Sequence, residues 1–280
     1  MSETSYITAG DGCRIAYRLE GAADLPVLVL SNSIATTLHM WDGEMGWFTK
    51  RFRVLRYDLR GHGRSDAPAG AYSLDRLGRD VLELLDALGL ERVRFCGLSL
   101  GGFIGQWLGI HAPERIERLV LSNASPHLGP ATYFDARIGR TLAAPDLAEQ
   151  AEMFLGDWFP PALFQTHPQL ISNFREMILS ISPQGLAGCF AAVRDADLRR
   201  TIALIDRPTL VIGGRYDTVT AASHSEAMAR TIPGAELRLL DGVHLLNVER
   251  REEFLAAVQG FLGADVAPAR RDVDCEVGVA

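Results

Sequence analysis

Two rhythms alternate along the chain. "RIAYRL" (Arg14–Leu19) alternates polar and apolar side chains, the pattern of a strand with one buried face. "PVLVLS" (Pro26–Ser31), "VRFCG" (Val93–Gly97), "RLVLSN" (Arg118–Asn123) and "TLVIGG" (Thr209–Gly214) are unbroken apolar or β-branched runs, as strands buried on both faces require. "RVLRYD" (Arg53–Asp58) and "ELRLLD" (Glu236–Asp241) complete the strand set. Between them the period lengthens. In Ser73–Leu88 the apolar positions Leu74, Leu77, Val81, Leu84, Leu85 and Leu88 share one helical face behind an N-cap serine, and Glu249–Leu262 predicts a closing helix. Strand and helix in alternation imply a mainly parallel sheet covered on both sides.

From about Leu128 to Arg194 the strand signals stop. "ATYFDARIGRTL", "LAEQAEMFLGDWFPPALF" and "PQLISNFREMILSIS" read as helical pieces punctuated by proline and glycine, an insertion between two strands. After Gly263 the periodicity is lost, and a frayed tail is expected over 264–280.

Composition narrows the function. Acidic residues outnumber basic ones, 35 to 28, and the resulting charge of −7 is dispersed, which argues against nucleic-acid binding. No apolar run approaches the roughly 18 to 20 residues of a membrane span, and the polar N-terminus does not read as a secretory signal. Cys13, Cys96, Cys189 and Cys275 lie far apart without metal-ligand spacing, so lone thiols in a reducing cytoplasm are expected.

The chemistry concentrates in "FCGLSLGGFIGQWLG". Gly97-Leu98-Ser99-Leu100-Gly101 fits G-x-S-x-G directly after one predicted strand and before a predicted helix, Gly101–His111. A serine at so sharp a turn is forced into a strained backbone, its near neighbours must lack side chains, and the helix N-terminus favours developing negative charge. A serine hydroxyl needs a base. Of seven histidines, His244 follows the last predicted strand, whereas His62 in "YDLRGHGRSD" precedes the serine and is the rival. Asp217, at the carboxyl end of "TLVIGGRYD", is the expected acid; Asp206 lies at the wrong end of that strand and Asp241 in a turn. The Leu100 and Ile34 N–H groups, the latter in "SNSI" after "PVLVL", are the expected oxyanion donors.

With these residues placed, the chain resembles the α/β-hydrolase superfamily over about residues 5 to 263. Within it the chain looks like the 3-oxoadipate enol-lactonases, through "VLSNSIATTLHMW", "RVLRYDLRGHGRSDAP", "FCGLSLGGFIGQWLGIHAPERIERLVLSNAS", "ARIGR" and "AAVRDADLR". The resemblance implies an eight-stranded α/β sheet with a helical lid inserted after the sixth strand: a core of 1–127 and 195–263, and a lid of 128–194. It implies hydrolysis of a small enol-lactone bearing a carboxylate, without a metal or organic cofactor, and with Arg137, or as second choice Arg194, meeting that carboxylate. Ser33, Phe134 and Trp158 would line the pocket. Phe134 departs from the family's tryptophan, which allows a differently shaped pocket. A neutral-ester carboxylesterase or perhydrolase, a C–C bond hydrolase and a noncatalytic ligand-binding protein are the rival expectations. The sequence leaves the oligomeric state open.

Overall fold

The computed structural model describes residues 3–263. The expected frayed tail and Cys275 lie outside the described residues. The strands are β1 (Ser5–Thr8), β2 (Arg14–Glu20), β3 (Val27–Ser31), β4 (Arg53–Tyr57), β5 (Val93–Leu98), β6 (Ile116–Ser122), β7 (Thr209–Gly214) and β8 (Glu236–Leu240). They form one eight-stranded sheet in the order β1-β2-β4-β3-β5-β6-β7-β8. The β1–β2 and β2–β4 pairs are antiparallel and every later pair is parallel. The four strands read as unbroken apolar runs occupy the middle of the sheet, where β5 and β7 are buried at every position. β1 has no counterpart in the pattern. Its four residues are mostly exposed and carry no apolar alternation; it is held by its register with β2.

Helices α1 (Asp42–Phe48), α2 (Leu74–Ala87) and α3 (Leu100–His111) connect the first strands. The Ser73 hydroxyl caps α2 by accepting from the Arg76 N–H, and Leu74, Leu77, Val81, Leu84 and Leu85 are buried as the periodicity requires. α3 is buried from Leu100 to Gly109, apolar around its whole circumference because the sheet lies on one side and other helices on the rest. Five helices fill the interval between β6 and β7: α4 (Ala131–Ala143), α5 (Ala148–Trp158), α6 (Pro161–Thr166), α7 (Pro168–Leu179) and α8 (Pro183–Asp195). The remainder are α9 (Ala222–Thr231), α10 (Leu246–Glu249) and α11 (Arg251–Leu262). The single closing helix expected over Glu249–Leu262 is instead interrupted at Arg250, whose φ of −119° and ψ of 44° leave the helical region.

Parallel strands send their carboxyl ends to one rim. The segments after β3, β5, β6, β7 and β8 therefore converge there. The helices between β6 and β7 reach the same rim: the Thr37 N–H donates to Met177 Sδ of α7 (3.1 Å), and the Leu198 N–H to the Pro126 carbonyl (2.8 Å). Among the described residues no single helix is long and apolar enough to cross a membrane.

Candidate active site

Ser99 sits between β5 and α3 with φ 56° and ψ −116°. That is a left-handed region costly for any residue with a Cβ, and it persists only where the surroundings fix it. They do so by close approach. A Cβ on Gly97 would fall 2.1 Å from the Gly101 carbonyl oxygen, and one on Gly101 would fall 2.3 Å from that of Ser31. The Gly101 N–H donates to the Asn32 carbonyl (2.9 Å) and the Ser99 N–H to that of Ser122 (2.9 Å), pinning the turn between its neighbouring strands β3 and β6.

Asp217 and His244, 27 residues apart, meet at that rim. His244 Nδ1 lies 2.8 Å from Asp217 Oδ2. A carboxylate can only accept, so Nδ1 carries the proton and Nε2 is left as the basic nitrogen. That Nε2 is buried and has no hydrogen-bond partner among the described residues. Oδ1 of Asp217 accepts from the Val219 and Thr220 N–H groups (2.8 and 2.9 Å). Oδ2 also accepts from Thr220 Oγ1 (2.7 Å) and Asn123 Nδ2 (2.9 Å). Burial alone would raise this carboxyl. The His244 charge and the hydrogen bonds from His244, Asn123 and Thr220 outweigh it and bring the pKa down to about 2.

Asn123 and Thr220 had no signal of their own in the sequence. Asn123 follows β6 at φ 45°, and its amide spans Asp217 Oδ2 and the Val243 carbonyl (3.1 Å), tying the acid to the residue before the base. Since Ser122, next to it, accepts from the Ser99 N–H, one short stretch of chain links all three expected triad members. The alternatives turn elsewhere. Asp206 pairs with Arg207 and Asp241 with Arg215. His62 is buried, its Nε2 accepting from the Ala35 N–H (3.0 Å).

Around Ser99 most amides are committed. Gly102 and Phe103 donate to the Ser99 carbonyl, Ser33 to Met40 Sδ and Ala35 to His62. Among the described residues no hydrogen bond is formed by the Ile34 or the Leu100 N–H. The buried Ser33 hydroxyl is also without a partner.

The pocket residues divide. Arg137 of α4 is buried with its guanidinium 4.5 Å from the Phe190 ring centroid and 5.1 Å from that of Phe154. Its Nη1 donates to the Tyr133 hydroxyl (2.8 Å), while Nη2 has no partner and, among the described residues, no carboxylate pairs with it. Burial raises the Asp157 carboxyl of α5, against the lowering charges of Arg137 and His244. Phe134 and Trp158 are buried in the same aromatic cluster, Phe134 near Phe190 and Trp158 near Phe154 and Phe174. Arg194 is engaged elsewhere. Its guanidinium is forked onto Asp195 and bonded to Asp135 (2.8 Å), so it has carboxylate partners of its own, unlike Arg137. The next residue in the chain, Asp195, and Asp135 on α4 share its charge.

Strained serine, buried acid–base pair and unpaired amides are joined on the rim of a parallel sheet, and comparison with known proteins agrees with that architecture. Residues 26–250 match the family described as alpha/beta hydrolase fold. The chain belongs to this family. The α/β hydrolase is 35% identical over 256 residues to 3-oxoadipate enol-lactonase 2 of Acinetobacter baylyi, covering 91% of this chain and 95% of that one. A hydrolase from Pseudomonas aeruginosa PA01 superposes with a TM-score of 0.92 at 58% identity, covering 94% of this chain and 99% of the other. The enol-lactonase from Burkholderia xenovorans LB400 does so with a TM-score of 0.90 at 35% identity, covering 92% and 100%.

Two concavities of this ester hydrolase lie off the triad. A cavity of about 790 Å³ opens between the Thr37–Glu44 segment and α7 and is lined by none of Ser99, Asp217 and His244. A cleft of about 230 Å³ between α4 and α5 is lined by Arg137, Arg140, Thr141, Glu149, Gln150 and Met153, and there the Gln150 Oε1 is buried without a partner. The larger volume carries His39, Arg64 and Arg251 on its walls. The smaller one touches the buried cation.

Proposed function

We propose that this α/β hydrolase opens a small enol-lactone bearing a carboxylate, 3-oxoadipate enol-lactone, to 3-oxoadipate through an acyl-enzyme on Ser99. His244 Nε2 removes the Ser99 proton as Oγ attacks the ring carbonyl, and Asp217 holds the imidazole in the required tautomer and stabilises its cation. The oxyanion that forms takes the Ile34 and Leu100 N–H groups, a pair of donors whose individual loss costs roughly 3 kcal/mol of barrier in such sites. The C–O bond to the ring oxygen then breaks, and that oxygen takes the proton from His244 and leaves as an enol. The enol relaxes to a ketone, which draws the ring opening forward. Water, deprotonated by His244, releases the acid.

Arg137 carries the substrate assignment: a buried guanidinium with a free Nη2 and no carboxylate partner of its own suits a carboxylate brought by the substrate. The helices α4–α8 serve in this reading as a lid, with Phe134, Trp158 and Ser33 lining the pocket beneath. Purified protein is mixed with the enol-lactone and the loss of its ultraviolet absorbance is followed beside p-nitrophenyl acetate. Removing a charge-assisted hydrogen bond costs about 1.5–3 kcal/mol, so Arg137→Ala is expected to raise KM for the lactone by roughly 10- to 100-fold while leaving the neutral ester unchanged. Equal behaviour of the two substrates in that variant would instead favour a neutral-ester hydrolase.

A further inference from the structure

His62 belongs to a motif that the proposed chemistry leaves unused, and it is a titratable side chain, 1% exposed, beside the site. Its hydrogen bonds define its state. The Ala35 N–H donates to Nε2 at 3.0 Å, so Nε2 has no proton; Nδ1 faces the Arg60 carbonyl at 3.2 Å and so carries one. The ring is itself held. The His62 N–H donates to the Leu59 carbonyl (2.9 Å), and the Arg60 guanidinium is forked onto buried Asp80, both contacts 2.6 Å. Burial pushes the imidazole down to about 4, in keeping with a neutral acceptor.

The loop that His62 supports is the one carrying Ile34. Ala35 has φ 59°, a left-handed conformation for a residue with a Cβ. On either side of it the Ser33 N–H donates to Met40 Sδ (3.3 Å) and the Thr37 N–H to Met177 Sδ (3.1 Å), thioethers that accept weakly, before the Leu38 N–H reaches Asp58 Oδ1 (2.7 Å). Among the acceptors of Ser33, Ala35 and Thr37 the imidazole is the strong one. The Ala35 N–H lies in the Ile34–Ala35 peptide plane, so anchoring it restrains ψ of Ile34, one of the two dihedrals that relate the Ile34 N–H to that plane.

We infer that His62 is a positioning residue for the oxyanion site, holding the Ala35 N–H so that the neighbouring Ile34 N–H points at the tetrahedral intermediate. This inference rests on the proposed triad chemistry. Two substitutions separate the two sides of the ring. In His62→Gln the amide oxygen reaches the place of Nε2 and keeps an acceptor for Ala35; in His62→Asn the shorter amide keeps the Arg60 side and abandons Ala35. With p-nitrophenyl acetate, His62→Gln is expected to keep kcat within about threefold, and His62→Asn to lower kcat roughly 10- to 100-fold at nearly constant KM, part of the 10²–10³-fold that loss of an oxyanion donor costs. Phenylboronic acid, which forms a tetrahedral adduct on serine, should weaken in parallel with kcat. Equal losses in both variants, or wild-type kcat in His62→Asn, overturn the inference. If His62→Asn does not fold, His62→Gln decides alone: a loss of about 30-fold or more at an unchanged melting temperature overturns it, and near-wild-type turnover supports it. Ser99→Ala is run beside them. Hydrolysis that survives in Ser99→Ala rejects the triad chemistry itself, a failure distinct from any result at His62.

Discussion

Asn123 joins more of the site than any residue singled out by motif. It bonds the acid's outer oxygen and the carbonyl before the base, from a left-handed backbone that asparagine tolerates better than most residues. Asn123→Ala removes both bonds and leaves a buried carboxylate oxygen short of a donor. The expected outcome is a loss of about 1–3 kcal/mol in urea unfolding, together with a fall in kcat, as His244 loses the frame that orients it. Ser99, Asp217 and His244, the proposed triad, each stand at a strand end in a recognisable local context, which is why the sequence singles them out. Asn123 was not legible in this way, since its role depends on β6 lying beside β7, and its partner is 94 residues away in the chain. The ion pairs of Arg194 were hidden for a related reason: a guanidinium in a sequence looks free until its neighbours are folded against it.

Elements repeat that lesson with different physics. The central strands were legible because burial on both faces leaves unbroken apolar runs, and α2 because its periodicity and cap agree. β1 is recruited by pairing with β2, and the break at Arg250 between α10 and α11 has no proline or glycine to announce it. Between α4 and α5, two buried polar atoms, Arg137 Nη2 and Gln150 Oε1, line one small cleft without partners. Gln150→Glu places a carboxylate there at almost no change in volume. It is expected to pair with Arg137 and compete with a substrate carboxylate, raising KM for the lactone by roughly 10-fold, the scale of one charge-assisted hydrogen bond. Turnover of p-nitrophenyl acetate should not move, and parallel steady-state kinetics on the two substrates check both halves.

At the scale of the whole molecule, buried ionisable groups pull stability in opposite directions with pH. Burial keeps His62 neutral down to about 4, while the unfolded chain takes up that proton near 6.5. The unfolded state therefore binds more protons in that window, and stability falls as pH drops from about 6.5 to about 4, by on the order of 3 kcal/mol. Asp217, lowered to about 2, adds a loss below about 4. Glu44 runs the other way. It lies within 3.4 Å of Arg251, yet burial dominates and raises its carboxyl to about 8. The folded state then holds a proton that the unfolded chain releases near 4.5, and stability falls as pH rises from about 4.5 to about 8. Glu44→Gln removes that decline, so its urea midpoint is expected to exceed the wild-type midpoint at pH 8 and to approach it at pH 5.

The excursion between β6 and β7 leaves and rejoins the sheet at adjacent strands, with the Asn123 N–H on the Ile212 carbonyl and the Leu198 N–H on that of Pro126 closing its two ends together. The chain from Ala131 to Asp195 thus joins the sheet at a single short seam, is tied to the core again by the Thr37 N–H on Met177 Sδ and the Tyr72 N–H on the Gly188 carbonyl, and excludes Ser99, Asp217 and His244, the proposed nucleophile, acid and base. In the proposed reading, ligand preference and bond breaking are written on separate stretches of chain, so exchanging the insert together with its partners at Thr37 and Tyr72 would alter the first and spare the second.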